Sequence, residues 1–178
     1  MDLTPVQKKF ILHWGEMGTR WGINRTVAQV HALLFVSPQP LNADEITQTL
    51  GVARSNVSTS LRELQGWGIV RVVHQLGDRR DFFETLSDVW ELYSIIMDER
   101  KRREIDPTIA LLRECVAESA GAGKGKAENP YTHQRLSDLL EFIETMSGWY
   151  DKVRKLPRSA FIGLAKAGRL LGGRRKTK

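Results

Sequence analysis

GVARSNVSTSLRELQGWGIVRVVHQLGDRRDFFETL, residues 51–86, carries three local signals in succession. Gly51-Val52 reads as a tight turn. Val57, Leu61 and Leu64 follow at i, i+4 and i+7, which draws one apolar stripe along a short helix. Opposite that stripe lie Arg54, Ser55, Ser58, Thr59 and Arg62, all cations or short hydrogen-bonding groups. Gly66 and Gly68 stop the helix. Ile69-Val70-Arg71-Val72-Val73 then reads as a strand and Phe82-Phe83-Glu84-Thr85 as a second, joined by the turn Gly77-Asp78-Arg79-Arg80.

Just upstream, Asn42 is a good N-cap and Glu45 stands three positions on, the spacing of a capping box. Ile46 and Leu50 continue that helix to Gly51. Helix, turn, helix and a basic-tipped hairpin predict a winged helix-turn-helix. An α-helix fits the major groove of B-DNA. The small groups of Ser55, Asn56, Ser58 and Thr59 permit the close approach that bulky side chains would prevent.

The run from Gly51-Val52 through Val57-Ser58 to Leu61, Asp78-Arg79-Arg80 at a hairpin tip, and Leu86-Ser87 opening a long helix resemble the MarR-type repressors. SNVSTSLRELQGWGIV and the aromatic-rich helices after the wing resemble their GbsR-type branch most. The resemblance spans about residues 20–165, and its middle third is the specific part. It implies a homodimeric transcriptional regulator with a recognition helix at Ala53 to Leu64, a wing at Gly77 to Asp81, and Asp78 holding a wing arginine in place. Two departures stand out. Ala53 occupies the position where such units usually place a Ser or Thr cap, a loss of about 1 kcal/mol, and Thr47 replaces a small Ala.

The 178 residues suit one domain or two small ones, with 41% hydrophobic residues. No apolar run approaches the roughly 18 residues of a membrane span, and MDLTPVQKKF does not look like a signal peptide. The single cysteine, Cys115, excludes an internal disulfide and fits a cytoplasmic protein. The net charge of +6 is unevenly spread. Residues 1–40 carry +4 and −2, residues 41–86 carry +5 and −6, residues 87–151 carry +8 and −13, and residues 152–178 carry +10 with no acid. The excess is C-terminal. DNA binding is therefore argued from the placement of Arg54, Arg62, Arg79 and Arg80, not from the total.

The fold class expected is mostly α with a small β-hairpin wing, the winged helix-turn-helix being flanked by N- and C-terminal dimerisation helices. Residues 1–40 hold two helices. The first is capped by Thr4, Pro5 and Gln7, with Val6, Phe10, Trp14 and Met17 as a partner-facing stripe. The second carries Ile23, Val27, Val30 and Leu34 and supports the 41–86 unit. Residues 87–120 are connecting helices: one opened by Ser87 and Asp88 and running into the charged DERKRRE, another starting at the cap-and-proline pair Asp106-Pro107. Residues 121–130 form a linker. Residues 131–171 form a C-terminal helical dimerisation and effector region, with Leu136, Leu139, Leu140, Ile143 and Met146 inward and a last helix at Phe161, Leu164 and Leu171. Residues 172–178 are a disordered basic tail.

Chemistry of other kinds is missing. GAGKGK at 121–126 lacks the spacing, the hydroxyl and the preceding strand of a phosphate loop. His13, His31, His74 and His133 are scattered without metal-ligand spacing. No enzyme, cofactor or metal is expected. The function expected is a homodimer on a pseudo-palindromic double-stranded DNA operator. Asn56 is placed to read an adenine edge, Arg54 and Arg62 to clamp phosphates, and Arg79 and Arg80 to enter the minor groove. The GbsR-type resemblance also implies a quaternary ammonium ligand such as choline or glycine betaine, for which Trp90, Tyr93, Trp149 and Tyr150 are the candidate cage. The alternative is a winged-helix docking module in a larger assembly.

Overall fold

The computed structural model describes residues 2–120, 129–157, 159–160 and 163, and its first helix starts where the capping pattern places it. Thr4 Oγ1 accepts from the Gln7 amide at 3.2 Å, and Gln7 Oε1 accepts from the Thr4 amide at 2.9 Å. Helix α1 (Pro5–Arg20) follows from this closed box. The chain divides into two compact units, Met1–Glu99 and Arg100–Lys178.

The first unit continues with α2 (Arg25–Val36), β1 (Leu41–Asn42), α3 (Ala43–Leu50), α4 (Arg54–Gly66), β2 (Val70–Val73), β3 (Phe82–Thr85) and α5 (Val89–Arg100). Helix α2 is its centre. Val27, Val30, Leu33 and Leu34 meet Ile46, Val57, Leu61, Leu64, Ile69 and Phe83 in one core. One buried face was expected for α2, carrying Ile23. Ile23 instead precedes the helix, and α2 is buried nearly all round because α1, α3, α4 and β3 pack on different sides of it.

Helix α1 departs further from its reading. Its buried residues are Ile11, Gly15 and Gly18, while Val6 is 77% exposed and Phe10, Trp14 and Met17 are half-buried. The two glycines decide this. A Cβ at Gly18 would lie 2.5 Å from Ala28 Cβ, and one at Gly15 2.7 Å from Gln29 Cγ. Close approach of α1 to α2 therefore runs along a face with little side-chain apolarity to announce it.

Asn42 closes a second capping box, accepting from the Asp44 and Glu45 amides at 3.0 Å while Glu45 Oε2 accepts from the Asn42 amide at 2.8 Å. Residues 41–42 also form a short strand that the periodicity does not reveal. The sheet runs β1-β3-β2, antiparallel throughout, with Asn42 opposite Phe82 and Val73 on β2 opposite Phe82 from the other side.

The second unit opens with a π-helical turn, Lys101–Ile105, before α6 (Asp106–Ser119) and α7 (Pro130–Val153). Asp106 is not the expected cap: Ile105 holds that position, and the Asp106 carboxylate accepts from Lys101 Nζ at 2.7 Å. Pro107 lacks an N–H and its ring crowds the preceding turn, which a wider turn relieves. Helices α6 and α7 pack together and are joined by Arg113 Nε donating to Glu144 at 2.8 Å. Of the α7 residues expected inward, Leu136, Leu140 and Ile143 are half-buried while Leu139 and Met146 are exposed. The apolar arc of α7 is wider than one neighbouring helix covers. Leu139, Phe142, Met146 and Trp149 form the uncovered stripe. Among the described residues no helix is long and apolar enough to cross a membrane. Most of the expected linker (121–128), the helix at Phe161, Leu164 and Leu171, and the basic tail lie outside the described residues.

Candidate nucleic-acid interface

Gly51 ends α3 with φ 64°, a left-handed conformation that glycine adopts without strain, and its amide donates to Thr47 O at 2.9 Å. This turn aims α4 away from α3. Burial then sorts α4 by face. Val57, Ser60, Leu61 and Leu64 are buried, Ser58 is half-buried, and Arg54, Ser55, Asn56, Thr59 and Arg62 are exposed. Ala53 is the N-cap and supplies no side-chain acceptor, so the first-turn amides of α4 lack a side-chain cap.

The wing turn is built by Asp78. Its Oδ1 accepts from the Arg80 amide at 2.9 Å, and both carboxylate oxygens accept from Arg80 Nε at 3.0 Å. Hydrogen bonds from Arg80 hold the Asp78 carboxyl down at about 2, and the same contact raises the Arg80 guanidinium. That guanidinium also lies 5.6 Å from the centroid of Phe82. Gly77, at φ 86°, provides the bend. Arg79 is exposed, with neither hydrogen bond nor ion pair among the described residues. Asp78 thus fixes Arg80 and leaves Arg79 free to project.

A groove runs between α4 and the wing, lined by Asn42, Asp44, Arg54, Ser58, Arg62, Gln65, Arg80 and Asp81 among others. It gathers Arg54, Ser58, Arg62 and Arg80 from the expected set. Ser55, Asn56, Thr59 and Arg79 do not line it and lie on exposed surface. The groove adds Asp44, which the sequence reading left out, and Asn42, which it read only as a helix cap. Asp44 Oδ1 lies 3.0 Å from Arg54 Nε, and Asn42 is 2% exposed with its side-chain Nδ2 unpartnered among the described residues. The near-neutral charge of residues 41–86 was the one available sign that acids sit among these arginines.

The four candidate effector rings are split. Trp90 and Tyr93 lie exposed on α5 in the first unit; Trp149 is exposed and Tyr150 half-buried on α7 in the second. A different aromatic set meets within the first unit. Trp14 has its ring centroid 5.4 Å from Phe10, 6.3 Å from Trp21 and 6.3 Å from His31. Trp14, Trp21, Trp67 and His31 help wall an apolar cavity of about 30 Å³. Burial pushes the His31 imidazole down to about 4, and its Nε2 has no hydrogen-bond partner among the described residues.

Residues 21–81 match the MarR family model. The HTH-type transcriptional repressor OpcR of Bacillus subtilis (strain 168) is 18% identical over 136 residues, covering 76% of this chain and 74% of OpcR. The HTH-type transcriptional repressor GbsR of the same organism is 20% identical over 144 residues, covering 80% and 79% respectively. The crystal structure of a transcriptional regulator aligns with a TM-score of 0.63 at 19% identity, over 84% of this chain and 96% of its own, and shows a common fold.

Proposed function

We propose, from the match of residues 21–81 to the MarR family model, a sequence-specific DNA-binding transcriptional regulator, a homodimeric repressor on a pseudo-palindromic operator. The observation that carries this reading is the wing. Asp78 commits its carboxylate to Arg80, which leaves Arg79 projecting and unpaired beside a helix whose outer face is Arg54, Ser55, Asn56, Thr59 and Arg62. An arginine so presented suits a narrow minor groove, while the small polar face suits base edges in the major groove. The uncapped first-turn amides of α4 suit a backbone phosphate. The names of the curated relatives, both repressors, support the same reading.

Selection from random duplex DNA, followed by gel shift, tests it. Arg79→Ala should weaken binding by about 1–3 kcal/mol at low salt and less at high salt. Arg80→Ala should act through the loss of turn geometry. The double variant binding as tightly as wild type would remove the wing from the interface. Asn56→Ala should change sequence preference more than affinity, because base contacts specify and phosphate contacts position. Failure to enrich any sequence would favour the docking-module alternative.

Dimerisation is assigned to the stripe Leu139, Phe142, Met146 and Trp149, whose exposure ranges from 45% to 62%. For a quaternary ammonium effector, the seat proposed is the cavity walled by Trp14, Trp21 and Trp67, residues whose indoles are capable of cation–π attraction, with neutral His31 adding no repulsion. At about 30 Å³ it must open to admit choline. Tryptophan fluorescence titrated with choline, glycine betaine and a neutral isostere reads this, and flat curves for all three would set the effector aside.

A further inference from the structure

Residues 41–86 carry five arginines and six carboxylates, a poor balance for a surface that meets a polyanion. Three ion pairs account for much of it. Arg71 faces Glu84 in register across β2 and β3, and Arg80 is held by Asp78 inside the wing turn. Both pairs are internal to the hairpin. The third joins α3 to α4 across the edge of the groove: Arg54 Nε to Asp44 Oδ1, 3.0 Å, with the two side chains 52% and 59% exposed. Arg62 and Arg79 have no ion pair among the described residues.

We infer that Asp44 is an exchangeable stand-in for a DNA phosphate on Arg54, and so sets the affinity and salt dependence of DNA binding without setting its sequence preference. The inference rests on the DNA-binding reading above. An exposed ion pair is weak, so a backbone phosphate displaces the carboxylate readily. Arg54 then gains a phosphate, while Asp44 is left unpaired in a groove that now holds DNA and must recruit a cation from solution. Each subunit therefore releases about one counterion fewer than its arginines alone would release. Phosphates carry no base identity, so the handicap falls equally on every sequence.

The test compares full-length wild type with Asp44→Asn on a mixed-sequence duplex of about three helical turns at several KCl concentrations. Glu91→Gln on α5, the same change in charge outside the groove, is the control. Asp44→Asn should bind about two- to fivefold tighter per engaged subunit. Its slope of log affinity against log salt should be steeper by about 0.9 per subunit, and Glu91→Gln should keep the wild-type slope. In an Arg54→Gln background the Asp44 change should no longer move the slope, since Asp44 is then unpaired before and after binding. A slope that moves equally in both backgrounds would reduce Asp44 to plain repulsion and overturn the exchange. An unchanged slope in Asp44→Asn, with wild type binding normally, overturns the role of Asp44 alone. A wild type that binds no duplex overturns the regulator reading and this inference with it.

Discussion

Seven of the twelve residues of α2 are buried, whereas α7, at 24 residues, buries none. Both helices are rich in apolar side chains. The difference is how many neighbours the chain itself supplies. Four elements surround α2, so its apolar surface leaves water when the chain folds. Of the described elements within its unit, α6 makes most of the packing on α7, with Lys101 of the π-helical turn reaching Asp151, so Phe142 and Trp149 stay 62% and 59% exposed. Apolar area of the first kind is a statement about stability, and area of the second kind is a statement about association.

Truncation should separate the two helices most sharply. Leu33→Ala, at the fully buried centre of α2, should cost about 2–5 kcal/mol in urea unfolding. Leu139→Ala on α7 should change the stability of the dissociated chain by less than about 0.5 kcal/mol. Phe142→Glu should instead shift sedimentation toward monomer at micromolar concentration while far-ultraviolet circular dichroism stays the same. Equal losses of stability at Leu33 and Leu139 would break the contrast.

Acid should act on the α2 side next. His31 stays neutral in the fold down to about pH 4, while the unfolded imidazole protonates near the ordinary histidine value of 6.5. The unfolded state therefore binds the extra proton first. Stability from this residue is complete above pH 6.5 and falls as pH drops toward about 4, a loss of about 3 kcal/mol if the full shift is expressed. Asp78, held at about 2 against the ordinary aspartate value of 3.8, loses its contribution only below that range. Urea midpoints at pH 7 and pH 5 for wild type and His31→Phe should converge on a flat line for the variant. The smallest effect concerns α4: Ala53→Ser should restore a side-chain cap and add about 1 kcal/mol, read as a raised thermal midpoint.

Capping and turn chemistry, the Asp106 cap excepted, was legible because each signal sits within a few residues. Thr4 with Gln7, Asn42 with Glu45, Gly51 and the Gly77 hairpin all express themselves locally. The exposed face of α4 was legible for the complementary reason, since once Val57, Leu61 and Leu64 face inward the rest must face out. What escaped depends on distant partners. Gly15 and Gly18 pack by being small, and no apolar period marks them. Asp44 meets Arg54 across a turn that the α3–α4 angle sets, and a periodicity within either helix cannot show it. His31 was one scattered histidine among four until α1 and α2 closed around it. The wide apolar arc of α7 could be read as hydrophobic, but not divided into what α6 covers and what it leaves.

Asn42 belongs to two structures at once. Its backbone stands opposite Phe82 in the sheet, and its side chain holds the first turn of α3, while the Phe82 ring lies under Arg80. The hairpin and the helix-turn-helix therefore share a rivet and are not separable modules. A chimera that exchanges the wing between relatives must carry residues 41–42 along with it, or the donor hairpin will arrive without the strand that seats it.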